Sequence, residues 1–296
     1  MGDDKRFGPV RFVPGANGGR YPNTNSVYVE GAGVLIDAGA DRLSYAALRA
    51  GAGVREVWLT HWHEDHIAYL DLFDDLPLRQ MSIEAEPLSD LETFLDWYGI
   101  AEPDYRAYWR MQLTEAFNFR PRKATSYFRP GEVIDVGSCS VEIVHTPGHT
   151  PGHAAFYFRE PQVVFMGDYD LTRFGPWYGD RDSDIDELIA SCQRLRALPA
   201  RVWLTSHEDG CFEGDTNALF DRYLGVIDER ENALLDYLSA PRTMDDIAAR
   251  HIVYRKPREP KAFFDWGERA IMGKHLQRLM RRRVVVVEDG RYRRIA

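Results

Sequence analysis

The stretch His61-Trp-His63-Glu-Asp65-His66 limits what this chain can fold into more than any other. It follows a run, Val54 to Thr60, that reads as a buried strand around Val57, Trp58 and Leu59. It leads into a segment, about Ile67 to Leu76, that reads as a helix. In an extended segment alternate side chains share a face, so His61 and His63 can reach one ion together. Where the chain turns into the helix, Asp65 and His66 change direction and can reach a second ion. A lone histidine is most often a satisfied core residue. Four ligand-type groups within six positions at a strand end are instead a chemical signal, because a loop needs a reason to carry them. Imidazole plus carboxylate is a donor set for zinc and its neighbours in the first transition row.

Later segments repeat the pattern of a strand that stops at a ligand. Val141 to His145 reads as a strand, followed by the tight turns Thr-Pro-Gly-His149 and Thr-Pro-Gly-His153, which aim His149 back over a sheet edge. The apolar run Val163 to Met166 ends in Gly167-Asp168, and Val202 to Thr205 is followed by His207. Gathering strand ends in this way puts all these groups on one edge of a layered α/β sheet structure. The remaining pattern fits that architecture. A hairpin is expected from Ser26–Glu30 and Val34–Asp37, a helix over Ser44–Ala50, strands at Val133–Val136 and Ala154–Phe158, and a helix over Ile185–Leu198.

Two parts depart from strand-helix alternation. Between Phe94 and Phe128 there are ten aromatic residues in 35 positions, against 12% for the chain. This predicts a helical insertion over about 84–128, whose aromatics form either its own core or a cap over an apolar pocket. From about Asp221 apolar residues recur at helical spacing, followed by short and long helices at Met244–Arg250 and Gly267–Arg282. A hairpin, Val284–Val287 with Arg291–Ile295, closes the chain. Three helices and a hairpin predict a winged-helix arrangement, so the domains are expected at 1–222 and 223–296.

Charge divides along the same line. From Arg242 onward 15 Lys and Arg stand against 7 Asp and Glu, leaving 22 against 39 in the rest, for a net charge of −9. The last long helix is expected to carry Lys274, Arg278 and Arg281 opposite its apolar stripe. A basic tail raises nucleic acid as a partner, but docking on the acidic body is the stronger expectation. Three cysteines at no paired spacing exclude a disulfide framework. No apolar run is long enough to span a membrane, and Met-Gly-Asp-Asp-Lys-Arg leads into no apolar signal segment. A cytoplasmic location is expected.

Together the His61/His63/Asp65/His66 motif, the Thr-Pro-Gly-His149-Thr turn, Gly167-Asp168, His207 and Leu35-Ile-Asp37-Ala-Gly resemble the metallo-β-lactamase superfamily of hydrolases. The resemblance spans about residues 22 to 210 and implies an αββα sandwich with two metal ions at its edge. Carried over by position, His61, His63 and His149 would hold the first ion, Asp65, His66 and His207 the second, and Asp168 would bridge them. Asp37 would orient ligands rather than bind metal. His145 and His153 match no ligand position and are expected to orient their neighbours. The tail resembles the winged-helix extension of one branch of the superfamily.

The resulting expectation is a dinuclear hydrolase, with zinc first and iron or manganese as alternatives. A metal-activated hydroxide would attack a small ester, thioester or lactone, with Asp65 or Asp168 orienting the nucleophile or passing its proton. Phe174-Gly-Pro-Trp177-Tyr178-Gly places Trp177 and Tyr178 at the substrate cleft. The expected partner is a small-molecule substrate, with a homodimer as a further expectation. The alternative is a nuclease or phosphodiesterase acting through the basic tail.

Overall fold

The computed structural model describes residues 5–51 and 53–295; Met1 to Asp4, read above as preceding no signal segment, lie outside them. The first sheet has the order β1 (Arg6–Phe7), β2 (Val10–Val13), β3 (Ser26–Val29), β4 (Val34–Ile36), β5 (Glu56–Trp58), β6 (Leu78–Met81) and β7 (Ser126–Phe128). Its pairing is antiparallel from β1 to β4 and parallel from β4 to β7. The second sheet contains β8 (Val133–Asp135), β9 (Ser140–His145), β10 (Ala154–Phe158), β11 (Val163–Phe165), β12 (Val202–Leu204) and β13 (Cys211–Glu213), also in chain order. It is antiparallel except between β11 and β12.

Side-chain alternation explains the layering. In β10, Ala154, Phe156 and Phe158 enter the core between the sheets, while Ala155 and Tyr157 enter the core under the outer helices. In β3, Val27 and Val29 face inward and Tyr28 faces the opposite helix layer. Trp58 and Phe128 of the first sheet meet Phe156 of the second at ring distances of 5.2 to 5.6 Å. Truncating one such ring to alanine costs about 3–5 kcal/mol. The sandwich therefore fixes the strand ends that carry the site.

Several expectations are corrected. The helix expected over Ile67–Leu76 is instead α2 (Glu64–Ile67) and a separate 3-10 turn, Leu70–Phe73. Tyr69 N–H donates to the Ala38 carbonyl and the His66 carbonyl accepts from Ala38 N–H, so bonds to the end of β4 break the helical ladder. The insertion comprises a 3-10 turn (Ser82–Ala85) and the helices α3 (Leu91–Trp97) and α4 (Pro103–Met111), and it ends before β7. Residues 126–128 are thus an edge strand of the first sheet. Strands β1, β2, β6 and β13 are additions to the expected set.

On the outer faces lie α1 (Arg42–Gly51), packed on the first sheet, and α5 (Ile185–Arg196), packed on the second. The C-terminal elements are α6 (Asn217–Tyr237), α7 (Met244–Ala248), α8 (Lys261–Arg281) and the hairpin β14 (Val285–Glu288) with β15 (Arg291–Arg294). The boundary expected at 222/223 falls inside α6, and one apolar core runs across it. Leu188 and Cys192 of α5 share that core with Tyr223, Leu234, Ile271 and Leu279.

The basic residues of α8 are not a free face. Lys274 donates to the Arg181 carbonyl at 2.6 Å. Arg278 bonds Asp186 at 2.9 Å and Glu231 at 2.7 Å, while Arg281 and Arg282 reach Asp184 and Asp186 at 2.9 and 2.8 Å. Lys274 and Arg278 are buried. The exposed pairs contribute at most about 1 kcal/mol each, whereas stripping Arg278 of its partners would leave a buried charge. No helix among the described residues is long and apolar enough to cross a membrane.

Candidate metal centre

The ends of β4, β5, β9, β11 and β12 lie on one edge of the sandwich, and there the ligand-type residues converge. His61 Nε2 and His63 Nδ1 each lie 3.1 Å from His149 Nε2. Asp168 Oδ2 lies 3.5 Å from His149 Nε2 and 3.9 Å from His61 Nε2. Its other oxygen, Oδ1, is 2.8 Å from His66 Nε2. His207 Nε2 is 3.3 Å from Asp65 Oδ2 and 3.6 Å from Asp168 Oδ2. Two groups result, His61/His63/His149 and Asp65/His66/His207, with Asp168 between them.

Each imidazole is held by its outer nitrogen. His61 Nδ1 meets Thr60 Oγ1 at 2.9 Å, and that hydroxyl donates to Asp37 at 2.8 Å. His66 Nδ1 meets Asp37 Oδ2 at 2.8 Å, and Thr60 N–H donates to Asp37 Oδ1 at 2.8 Å. Asp37 sits in the left-handed region at φ 61°, a strained position that turns its carboxylate under both histidines. His63 Nε2 is bound by Asp180 at 2.7 Å. His149 Nδ1 donates to the Trp177 carbonyl and His207 Nδ1 to the Gly19 carbonyl, both at 3.0 Å.

With their outer nitrogens acting as donors, His61 and His149 present lone pairs to each other across 3.1 Å. Lone pairs brought together this way repel unless a cation lies among them. His66 Nε2 and Asp168 Oδ1, buried and 2.8 Å apart, are not aligned for a hydrogen bond to each other or to any other described residue. Buried polar atoms are rarely left so, and an ion would satisfy both. The donor set therefore fits divalent metal ions.

Electrostatics separate the histidines. Burial and the neighbouring imidazoles hold His61 well below its usual range, and the same causes take His149 down to about 4. Burial opposes protonation of His63 too, but Asp180 outweighs it and raises this group to about 9. Asp168 is kept well below the usual carboxylate range; burial works against this, and His66 and His207 overcome it. Burial, only partly offset by His207 and reinforced by Asp168, drives Asp170 up to about 8.

The other expected residues divide. His153 Nδ1 meets Thr146 Oγ1 at 2.7 Å and its Nε2 accepts from Asp168 N–H at 3.3 Å, so it sets the backbone of the central carboxylate. A Cβ at Gly167, which has φ +58°, would fall 2.4 Å from that Nε2. His145 instead donates to the Pro151 carbonyl at 2.9 Å and braces the turn. Trp177 lines the cleft beside the centre. Tyr178 does not: it is fully buried, bonded to His275 at 2.9 Å and to Arg230 at 3.1 Å.

Several residues were missed. Asp170 could have been found, since it lies two positions after Asp168 and forms a third cluster with Asp168 and His207. Asp180 carries no local signal. Nor does Glu84, whose buried carboxylate accepts from Trp62 N–H at 3.1 Å, Thr150 Oγ1 at 2.9 Å and Gly152 N–H at 2.6 Å. Glu84 thereby ties the His61/His63 loop to the His149 turn. Burial pushes this carboxyl up to about 7 despite those three donors.

The centre opens into a cleft of about 430 Å³. Tyr98 and Trp109 of the insertion form one side, so the insertion's aromatics are both core and cleft wall. Tyr254, Phe263, Phe264 and Trp266, from the C-terminal elements, form another side that the sequence reading did not foresee. Behind Trp177, Arg230 donates to the carbonyls of Pro176 at 2.9 Å and Phe174 at 2.7 Å. Thus α6 and α8 hold the loop that supplies both Asp180 and the Trp177 carbonyl.

A model of the metallo-beta-lactamase superfamily matches residues 19–207. The acyl-coenzyme A thioesterase MBLAC2 of Gallus gallus is 29% identical over 186 residues, 57% of this chain and 64% of that protein. An atrochrysone carboxyl ACP thioesterase from Aspergillus fumigatus is 24% identical over 209 residues, 67% of this chain and 55% of its own. The matches thus span little more than half to just under two thirds of these relatives' length. Among solved structures, a metallo-beta-lactamase family protein from Thermus thermophilus superposes with a TM-score of 0.72 at 24% identity, covering 97% of this chain and 99% of its own. That likeness shows a shared fold, C-terminal elements included.

Proposed function

The chain belongs to the metallo-beta-lactamase superfamily, and on that premise we propose that it is a dinuclear metal-dependent hydrolase of acyl thioesters. The observation that carries this is the convergence of five imidazole nitrogens on Asp168, each ring held from behind by an acceptor. His61, His63 and His149 would hold one ion, Asp65, His66 and His207 the other, with Asp168 shared; zinc suits this donor set first, then iron or manganese. Such ions supply Lewis acidity, lowering the pKa of water toward neutrality and polarising a substrate carbonyl.

The chain's own groups do the rest. Asp65 and Asp168 are the carboxylates placed to orient the attacking oxygen and accept its proton. Tyr21 and Tyr98 donate to the buried Glu64 carboxylate, fixing the cleft floor beside Asp65. Trp109, Trp177 and Trp266 wall off water and offer apolar surface to an acyl chain. In the reaction a C–O bond forms at the carbonyl carbon, the C–S bond breaks, and the proton ends on the departing sulfur. The thioester is preferred over an oxygen ester or lactone because the relatives named above are thioesterases.

The C-terminal elements, three helices and a hairpin with an isolated bridge between Arg242 and Tyr292, are read in this proposal as a winged helix. Their role in this proposal is to wall the cleft; Lys274 and Arg278 are occupied within the chain rather than available to phosphates. The test is thiol release by zinc-loaded protein from acyl thioesters, beside lactone, phosphodiester and β-lactam substrates. Chelator-sensitive thiol release is expected. Turnover of phosphodiesters alone would overturn the proposal.

A further inference from the structure

The cleft above the centre is polar at its floor and aromatic along its sides, and its exposed charged lining residues are two arginines, Arg20 and Arg258, and one carboxylate, Glu208, whose N–H donates to the Gly19 carbonyl at 3.2 Å. Its floor is lined by His63, Glu64, Asp65, Asp168 and His207. Arg20 and Arg258 are the only basic side chains of Lys or Arg type in the lining. Both are exposed. Among the described residues neither forms an ion pair, although the chain carries 46 acidic side chains and most of its arginines are paired. Arg258 is held over the Phe264 ring at 5.6 Å, which fixes its stem on the aromatic wall and leaves its guanidinium donors unclaimed. Arg20 adjoins Gly19, whose carbonyl holds His207, so its backbone is anchored to the metal centre.

We propose that Arg20 and Arg258 form an anion-binding rim that seats a negatively charged group on the thiol portion of the substrate. The proposal rests on the thioester reading above and narrows it to thioesters whose thiol half ends in phosphate or carboxylate. The scissile carbonyl lies over Asp168, the apolar portion lies along Trp109, Trp266 and Phe263, and the charged end emerges at the mouth. A guanidinium fork bonds phosphate and carboxylate alike, so the rim recognises the charge and its geometry rather than one headgroup. In an acidic body, an unpaired cation at the entrance also draws an anion toward a centre its surroundings would otherwise repel.

The experiment has two arms. In the first, kcat/KM is measured for one acyl group on coenzyme A, on glutathione and on neutral N-acetylcysteamine, using metal-loaded wild type and the variants Arg20→Ala, Arg258→Ala and both together. The wild type should favour at least one anionic thioester over the neutral one. Each single variant should lower that preference by up to about fivefold through KM, leaving the neutral substrate unchanged. Preference for the coenzyme A ester assigns the rim to phosphate, and preference for the glutathione ester assigns it to carboxylate. Equal turnover of all three in every protein would overturn the rim while leaving the thioesterase reading intact. In the second arm, binding of desulfo-coenzyme A and S-methylglutathione is measured by calorimetry, independent of any turnover. Binding of either that weakens in the double variant and with added salt supports the rim. Binding of neither, or binding that the double variant leaves unchanged, overturns it even if no thioester is hydrolysed.

Discussion

The two sides of the metal centre are built by different means. On one side, His61 and His66 are held by Thr60 and Asp37, all at the ends of two adjacent parallel strands of the first sheet. On the other, His63 and His149 are held by Asp180 and the Trp177 carbonyl, from a loop pinned by Arg230 and Lys274 of the C-terminal helices. The first side is a product of local chain geometry and a strained Asp37. The second depends on helices that follow some fifty to a hundred residues later in the chain. The comparison teaches that ligands can be specified locally while their orientation is borrowed from distant parts of the chain.

If the first side is a local device, removing its one carboxylate should have the largest effect. Asp37→Ala leaves Thr60 N–H and His66 Nδ1 without an acceptor in a fully buried site. It should cost about 3 kcal/mol or more in stability and abolish tight metal retention. Urea denaturation and metal analysis check this; a stable, metal-replete variant would break the comparison. On the second side Asp180→Ala removes a single orienting group. Metal affinity should fall roughly 10–100-fold, as for other partners of metal-bound histidines, measured by chelator competition. An unchanged affinity would show that His63 needs no such partner.

A smaller effect is expected one step further out. Arg230→Met leaves the Phe174 and Pro176 carbonyls unpaired and should cost about 2 kcal/mol. It should also weaken metal binding by the folded protein, and Arg230→Lys should recover part of both. A loss of stability with unaltered metal affinity would make the C-terminal helices mere cover. The smallest effect concerns Glu84, which ties the two sides together. Its carboxyl is raised by burial from 4.5 to about 7, so the folded state favours the protonated form. Stability from this group is full below about 4.5 and is lost as pH rises through about 7. Glu84→Gln cannot ionise, so its stability should change less than the wild type's across that window. Parallel denaturation curves across the window would contradict this.

The clustered histidines and carboxylates were legible in the sequence because most follow a strand, and strand ends can be read from apolar runs a few residues long. The sandwich followed from the same runs, although β1 and β13 are short and arginine or glutamine interrupts the apolar run in β2 and β6. What could not be read was contact between distant segments. Nothing near Asp180 points to His63, 117 positions earlier. Likewise, Tyr178 looked like a cleft residue from its neighbours, yet Arg230 and His275 draw it into the core. The aromatic wall from Tyr254 to Trp266 reads from sequence as the lead-in to a helix, and only packing against the insertion makes it cleft. Trp266 lies 5.0 Å from Trp109 and 5.4 Å from Trp177, ring to ring.

The proposed centre consists of two ion sites that share Asp168. The most direct test is metal content after reconstitution with zinc and removal of unbound ion, comparing the wild type with His207→Ala. Because His207 lies outside the His61/His63/His149 group, about two zinc ions per wild-type chain and about one per variant chain are expected. A wild-type protein that retains no zinc, or a variant that still retains two, would contradict the two-site centre.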